Sequence, residues 1–228
     1  MRWVLVVLLM LSLTMLPAGA QAPEPGRHQI VTTGHGRIEV SPDQASVSVG
    51  GQAQRATAAE AAAEVNRTAT QALERIRGLG IRADAIRTSA VQVFPIYSTP
   101  RDGSAPQITG YRATSMLTVT VADLSLVGRV IDASIQAGAN LVHGISFGLR
   151  DASRARNEAL TLAVRDARDK GEAIAQAAGL RISGIERIVE EGASVQPREM
   201  RVAAAPVPTP VEPGTVSVTA QVTVVFRY

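Results

Sequence analysis

The stretch 151–178, DASRARNEALTLAVRDARDKGEAIAQAA, decides the fold of this 228-residue chain. Its composition predicts one long helix, and its small residues recur at every fourth position: Ala155, Ala159, Ala163, Ala167, Gly171 and Ala175. Four residues turn a helix by about 400°, so this row forms a low ridge that winds slowly around the helix. A sheet or a second helix can approach such a ridge closely. Leu160, Val164 and Ile174 flank the ridge and are expected to add buried bulk.

The ends and the solvent face of this helix can also be read. Asp151 or Ser153 is expected to cap its start, and Gly179 is expected to end it. Asp166 and Lys170 are spaced as a favourable ion pair on the charged face. That face is marked by Arg154, Arg156, Glu158, Arg165, Arg168, Asp169 and Glu172.

The helix is predicted to be longer than the sheet it packs on. At 1.5 Å per residue it would measure about 40 Å, whereas the strands beside it read as roughly six residues, about 20 Å. We therefore expect one flank of the ridge to be covered by another element or by another subunit. The alternative is an ordinary surface helix with spare alanines.

The composition excludes several classes of protein. The chain has 23 basic and 20 acidic residues, and its arginines are scattered among the acids, so no nucleic-acid partner is expected. It has no cysteine, which removes disulfides, a lipoprotein anchor and thiol chemistry. Aromatic residues make up only 3% of the chain, so the core must be built from Val, Ile, Leu and Ala.

The first 20 residues are typical of a secretory signal peptide. Arg2 precedes an apolar run from Trp3 to Leu16, and small residues at 17–20 favour cleavage after Ala20. The run is shorter than the roughly 20 residues that span a bilayer, so we expect an exported mature chain without an integral membrane span. An uncleaved membrane anchor is the alternative. Residues 21–28 are then expected to form a flexible leader, and 29–228 a single domain.

The domain has the predicted order β-β-α-β-β-α-β-α-β-β. Thr57 and Glu60 match a capping box that opens the first helix, Pro95 indicates a strand end or an edge strand, and Asp123 is expected to cap the second helix, which Gly138 ends. The predicted strands and loops are 30–33, 36–40, a strand from about 44, 86–97, a hairpin loop at 99–107, 111–121, 143–149, 185–190, a Pro-rich exposed loop at 193–214, and 216–226.

This order indicates an α+β fold with mostly antiparallel sheet. Two β-α-β-type units occupy about 44–97 and 111–150, followed by the long Ala-rich helix and a C-terminal strand. The strand on each side of the long helix is compatible with one additional parallel pair, if both strands share a sheet.

Several short motifs, in order, carry a family resemblance. They are GHGRIEVSPD at 34–43, RTS at 87–89 with Pro95 and Tyr97, TGYRA at 109–113, AGAN at 137–140, GISF at 144–147, AGL at 178–180 and PVEPG at 210–214. Together they resemble the SIMPL domain family, also called DUF541, over roughly residues 29–228. The resemblance implies a secreted, often periplasmic protein that self-associates into rings or larger assemblies, with a link to oxidative-stress tolerance.

The motifs themselves read as structural, and no catalytic, cofactor-binding or metal-binding residues are predicted. No two of the histidines His28, His35 and His143 share a metal-ligand spacing, and His35 is expected in a solvated loop. Gly34 and Gly36 precede a strand, so they do not form a phosphate-binding loop. Three further sets of residues are expected to be solvated or packed: the acidic residues Asp166, Asp169 and Glu172, neutralised by neighbouring basic residues; the pair Glu190 and Glu191 at a strand end; and Tyr97 facing Tyr111 across the hairpin.

Three functions remain in view. We expect a non-enzymatic, exported homo-oligomer of the cell envelope, with an envelope protein as a further candidate partner and the outer membrane as a candidate site. The alternative is a binding module for a small molecule or an envelope partner. Its pocket would lie between sheet and helices near the 99–107 and 193–214 loops. A hydrolase or antioxidant enzyme would need a cluster of polar residues that the sequence does not reveal.

Overall fold

A computed structural model describes residues 28–99, 105–200 and 212–228. The predicted signal peptide and residues 21–27 of the leader lie outside these ranges. The strands are β1 (Gln29–Val40), β2 (Gln44–Arg55), β3 (Ile86–Tyr97), β4 (Ile108–Val121), β5 (Leu141–Gly148), β6 (Gly184–Gln196), β7 (Arg198–Met200) and β8 (Val216–Arg227), and the helices are α1 (Ala58–Gly78), α2 (Val127–Gln136) and α3 (Ser153–Ala177).

The strands form two antiparallel sheets, and the α+β prediction is confirmed. One sheet has five strands in the order β3-β4-β2-β5-β7, and the other has three in the order β1-β8-β6. Both predicted β-α-β units are present as β2-α1-β3 and β4-α2-β5. Their strands interleave in one sheet in the β-α-β-β-α-β pattern of ferredoxin-like motifs. The crossover through α3 joins β5 of one sheet to β6 of the other, so the additional parallel pair is not formed among the described strands.

The first core lies between the five-stranded sheet and helices α1 and α2. Successive side chains of a strand point to opposite faces of the sheet. Because helices cover only one face of this sheet, its strand residues are buried at alternate positions. Its largest fully buried side chains include Phe147, Ile76, Leu117, Ile131 and Ile145. The predicted capping box is confirmed, since the Thr57 side chain accepts from the N–H of Glu60 and the Glu60 side chain accepts from the N–H of Thr57.

The second core lies between α3 and the three-stranded sheet. All six small residues of the ridge are buried, from Ala155 to Ala175, and they face the apolar side of β8. That side consists of Val216, Val218, Ala220, Val222, Val224 and Phe226, as the alternation predicted, and Val216 itself packs in the first core. Val195 of β6 contacts both cores.

Glycine in β1 brings this strand unusually close to the ridge. A Cβ built on Gly34 would lie 1.9 Å from the carbonyl oxygen of Ala163, and one on Gly36 would lie 1.9 Å from that of Ala159. The buried Thr32 hydroxyl donates to the Ala167 carbonyl at 2.7 Å. Small residues on both surfaces therefore allow backbone-to-backbone packing of helix and strand.

The prediction that helix α3 is longer than the sheet it packs on is wrong. The strands against α3 have 12 or 13 residues, because 30–33 and 36–40 form one continuous strand and 185–190 extends to Gln196. A strand of 12 residues spans about 40 Å, close to the length of a 25-residue helix. The ridge is thus covered within the chain, and it no longer requires another subunit.

Three smaller predictions also differ from the structure. Ile174, expected to add bulk to the core, is exposed, whereas Leu160 and Val164 are partly buried there. The residue at the N-cap of α3 is Ala152, although Asp151 accepts from the N–H of Ser153 at 2.8 Å. The predicted 193–214 loop begins later, since residues 193–196 belong to β6 and 198–200 to β7, and 201–211 lie outside the described residues.

Candidate interaction surface

The three histidines lie far apart in the fold. His28 packs edge-on against the ring of Tyr228, with centroids 5.4 Å apart. His35 lies in the middle of β1 and not in a loop, although it is exposed as predicted. Within the described residues, no group of three or more His, Asp or Glu side chains is placed to hold a metal ion.

The acidic residues singled out in the sequence are engaged locally. Asp166 pairs with Lys170 at 2.6 Å, and Glu172 pairs with Arg168 at 2.8 Å, which confirms a helix face that neutralises itself. Glu191 lies within β6 and not at a strand end, and it accepts hydrogen bonds from Gln221 and Thr223 of β8.

The predicted tyrosine pair is not formed. In the hairpin of β3 and β4, Tyr97 lies opposite Ile108, whereas Tyr111 lies opposite Pro95. The two rings are therefore out of register by two residues or more, and Tyr111 packs instead on a small cluster that includes Val65 of α1.

A shallow groove on the outer face of the five-stranded sheet brings chemically interesting side chains together. Its volume is about 270 Å³, and it is lined by His143 and Glu199 together with Ser46, Ser48 and Ser146. These are the residue types of a hydrolytic triad. The hydrogen bonds of the described residues, however, include none between His143 and a serine or glutamate of the groove, so the base and nucleophile are not coupled.

Two open depressions match only in part the pocket predicted between sheet and helices near the 99–107 and 193–214 loops. Between α1 and the sheet, a cavity near Thr68 measures about 10 Å³, too small for a metabolite. An open depression of about 620 Å³ lies instead on the solvent face of the three-stranded sheet, where His35, Arg37, Glu191 and Gln221 line it. A second, of about 730 Å³, lies beside the C-terminal end of α3.

The outer edge of β1 is closed by the helix that packs on it. Asp166 Oδ2 accepts the backbone N–H of His35 at 2.8 Å, and Lys170 Nζ donates to the carbonyl of Thr33 at 3.0 Å. Two groups that an edge strand normally leaves free are thus occupied by side chains of α3. The hydrogen bond from Lys170 and then that from the His35 N–H lower the pKa of Asp166 below its usual range.

The outer edge of β3 is different, because it is apolar and exposed. Phe94 and Tyr97 are each 56% exposed, and Val91 is 59% exposed. With Val93 and the neighbouring Ile108 of β4 they form what we call the β3 strip: Val91, Val93, Phe94, Tyr97 and Ile108. No residue from Thr88 to Tyr97 carries a charge at neutral pH.

The β3 strip is the feature that sequence reasoning missed. The sequence predicts a strand at 86–97 but not the exposure of its valine and phenylalanine side chains, since burial cannot be told from hydrophobicity alone. Two signals were present, namely Pro95, which correctly indicated an edge strand, and the absence of charge along ten residues. Edge strands usually carry charges that prevent pairing, so an uncharged edge points to a contact surface.

Comparison with known proteins places the chain in a family. A model of the family described as "SIMPL: Protein of unknown function (DUF541)" matches residues 30–226. This chain belongs to the SIMPL family. The match covers every strand and helix described above except the outermost residues of β1 and β8, so the SIMPL domain comprises both sheets.

Individual SIMPL relatives agree with this assignment. The 26 kDa periplasmic immunogenic protein of Brucella melitensis is 35% identical over 182 residues, which cover 77% of this chain and 71% of that protein. The uncharacterized protein YggE of Edwardsiella ictaluri is 25% identical over 195 residues, covering 85% and 81%. YggE of Escherichia coli K12 is 24% identical over 193 residues, covering 82% and 78%.

Among the described helices, none combines the length and the apolar character that a bilayer-spanning segment needs.

Proposed function

We propose that this SIMPL protein is a non-enzymatic, exported, self-associating protein of the bacterial periplasm or cell envelope. The observation that carries the proposal is the β3 strip, an uncharged apolar surface on a free sheet edge. Monomeric proteins rarely expose contiguous apolar patches larger than a few hundred Å², and the largest such patch is often functional. The periplasmic name of the Brucella relative and the signal-like residues 1–20 support the location.

Self-association is tested on the chain purified after export. Light scattering at micromolar concentration is expected to give a mass well above that of one mature chain. A monomer across the micromolar range would overturn this part of the proposal. Cell fractionation with N-terminal sequencing tests the location, and a chain that keeps residues 1–20 would point to the membrane anchor instead.

The link to oxidative stress rests on family resemblance alone. It is tested by deleting the gene and measuring survival in peroxide, with wild-type complementation as the control. Catalysis is tested separately, because His143 and the serines of its groove are the nearest approach to a hydrolytic site. A hydrolytic activity abolished by His143→Ala, in a variant that keeps its fold, would contradict the non-enzymatic assignment.

The alternative is a periplasmic binding module, favoured by the depression of about 620 Å³ over the three-stranded sheet. Its lining combines apolar surface with the polar side chains of Arg37, Glu191 and Gln221, which could orient the polar groups of a small ligand. A thermal-shift screen of polar metabolites tests it, with Arg37→Ala expected to abolish any shift. A response that survives Arg37→Ala would place the ligand elsewhere.

A further inference from the structure

We propose that a second copy of this chain binds the β3 strip by pairing its own β3 with it, edge to edge and antiparallel. The two five-stranded sheets would then continue as one sheet of ten strands. This inference rests on the proposed self-association, and it adds the surface and the geometry by which two copies meet.

The backbone of β3 has one side available for such pairing. Strand β4 pairs with β3 from Ile86 to Tyr97, and among the described strands β3 is the last of its sheet. In contrast to β1, none of the hydrogen bonds among the described residues brings a helix side chain to this edge. An unpaired strand edge offers alternating N–H and C=O groups to an incoming strand, and β3 does so except at Pro95, which has no backbone N–H.

The other strand edges of the described chain are less suited to pairing. β1 is closed by Asp166 and Lys170. β6 carries Glu186, Arg187, Glu190 and Glu191 along its length, and β7 has only three residues. β3 is therefore the long edge that combines free backbone with uncharged, apolar side chains.

The charge pattern favours a copy of the chain itself over a basic partner. Because Thr88–Tyr97 has no charge, two such edges approach without repulsion, whereas a basic peptide would find no counter-charge on β3. The nearest charge on the strand, Arg87, stands at one end. In an antiparallel pair it would lie near Tyr97 of the second copy, where a cation–π contact is favourable, and away from the other Arg87.

A two-fold axis through the β3 edge near Gln92 produces this antiparallel pair and keeps the two Arg87 side chains apart. It places Val91 of each copy opposite Val93 of the other, so the same apolar contact is made twice, as an isologous interface requires. The axis runs perpendicular to the sheet, and α1 and α2 of both copies remain on one face of the joined sheet.

The apolar area of the β3 strip is smaller than that of a standard interface. Two aromatic side chains exposed by more than half, with three aliphatic ones, leave on the order of 400 Å² of apolar surface per copy. That is about half of the roughly 800 Å² that a standard interface buries on each partner. Backbone hydrogen bonds add to it, and one charge placed in the strip should be enough to disrupt the pairing.

The chain offers a matched pair of valines to test this. Val91 on β3 is 59% exposed, and Val31 on the closed edge of β1 is 58% exposed. Val91→Lys is expected to weaken association at least tenfold, seen as a smaller mass by light scattering, and Val31→Lys is expected to leave the mass unchanged. Circular dichroism and the melting temperature establish that both variants are folded.

A second measurement does not depend on weakening the protein. Because the chain has no cysteine, Gln92→Cys introduces the only thiol. Residues that face each other across an antiparallel pair are close enough for a disulfide, so oxidation is expected to cross-link most of this variant into dimers. Val31→Cys serves as the control and is expected to remain largely uncross-linked.

The outcomes separate the two proposals. A wild-type assembly whose mass is unchanged by Val91→Lys, and whose Gln92→Cys variant does not cross-link, would overturn the β3 pairing and leave self-association standing. A wild-type monomer at micromolar concentration would overturn both. If Val31→Lys reduced the mass of the assembly and Val91→Lys did not, the interface would lie at β1 instead.

Discussion

The outer edge strands of the two sheets, β1 and β3, have the same length, but they differ in whether other parts of the chain bind their free backbone groups. Both strands have 12 residues and end a sheet, and both expose a valine to nearly the same extent. On β1, a helix supplies Asp166 and Lys170 to the free backbone groups, and Arg37 and Glu39 add charge. On β3, no hydrogen bond among the described residues brings a helix side chain to the edge, and Thr88–Tyr97 is uncharged, so only Pro95 and the irregularity between Thr88 and Ala90 interrupt it. The contrast is between an edge that its own helix binds and an edge whose apolar side chains stay exposed, and the proposed pairing uses the second.

The position of the helices explains the contrast. α3 packs along β1 and β8 because its small residues and the glycines of β1 allow close approach, so its side chains reach the edge. α1 packs mainly on β2 and β4, one strand in from β3. The apolar residues of β3 therefore extend beyond the helical layer.

The largest expected effect comes from removing the fit between β1 and α3. In Gly36→Ala, the new methyl group would lie 1.9 Å from the Ala159 carbonyl oxygen, a backbone atom that cannot turn aside. We expect the free energy of unfolding to fall by about 3 kcal/mol or more, at the upper end of overpacking effects. Urea or thermal unfolding measures it.

Gly184→Ala is the matched control, because a Cβ there meets nothing within 4 Å. Its stability should change by less than about 1 kcal/mol. If Gly36→Ala were as stable as Gly184→Ala, the strand and helix could not be packed backbone to backbone, and the closed edge of β1 would need another explanation.

The parts of this fold that follow from local pattern were predictable. The ridge of α3, the capping box at Thr57 and the alternation of β8 were each visible because they depend on spacing along one element. The α+β class followed from their order. The helix ends at Gly138 and Gly179 were also found, since both glycines adopt positive φ, which favours glycine.

The parts that depend on contacts between distant segments were not predictable. Gly34 and Gly36 lie where the sequence predicts two short strands, 30–33 and 36–40, and strands of roughly six residues were expected to leave a flank of the ridge uncovered. Their role becomes clear only when Ala159 and Ala163 are placed against them. In the same way, the exposure of Val91 and Phe94 becomes clear only when the sheet order places β3 at an edge.

A smaller loss of stability is expected when a side chain that binds the edge of β1 is replaced. Asp166→Asn removes the ion pair with Lys170 and weakens the bond to the His35 N–H. Because Asp166 is partly exposed, we expect a loss of about 0.5–1 kcal/mol in the free energy of unfolding, within the low range for such contacts. Asp169→Asn, on the exposed face of the same helix, is the control and should cost less. Equal losses would mean that the contact with β1 contributes nothing.

The smallest expected effect is the pH dependence of the stability difference between wild type and Asp166→Asn. It tests directly whether the charge of the carboxylate causes that difference. The pKa of Asp166 is lowered in the folded chain, so its contribution is fully present above the unfolded value of about 4 and is lost as pH falls through the lower folded value. The stability gap between wild type and Asp166→Asn should therefore be constant above about pH 5 and should narrow as the pH falls below about 4. Urea unfolding between pH 7 and pH 2.5 measures it. A gap that does not narrow would show that the carboxylate charge is not what holds the edge of β1. β3 has no carboxylate between Thr88 and Tyr97, so no matching titration is expected from that edge.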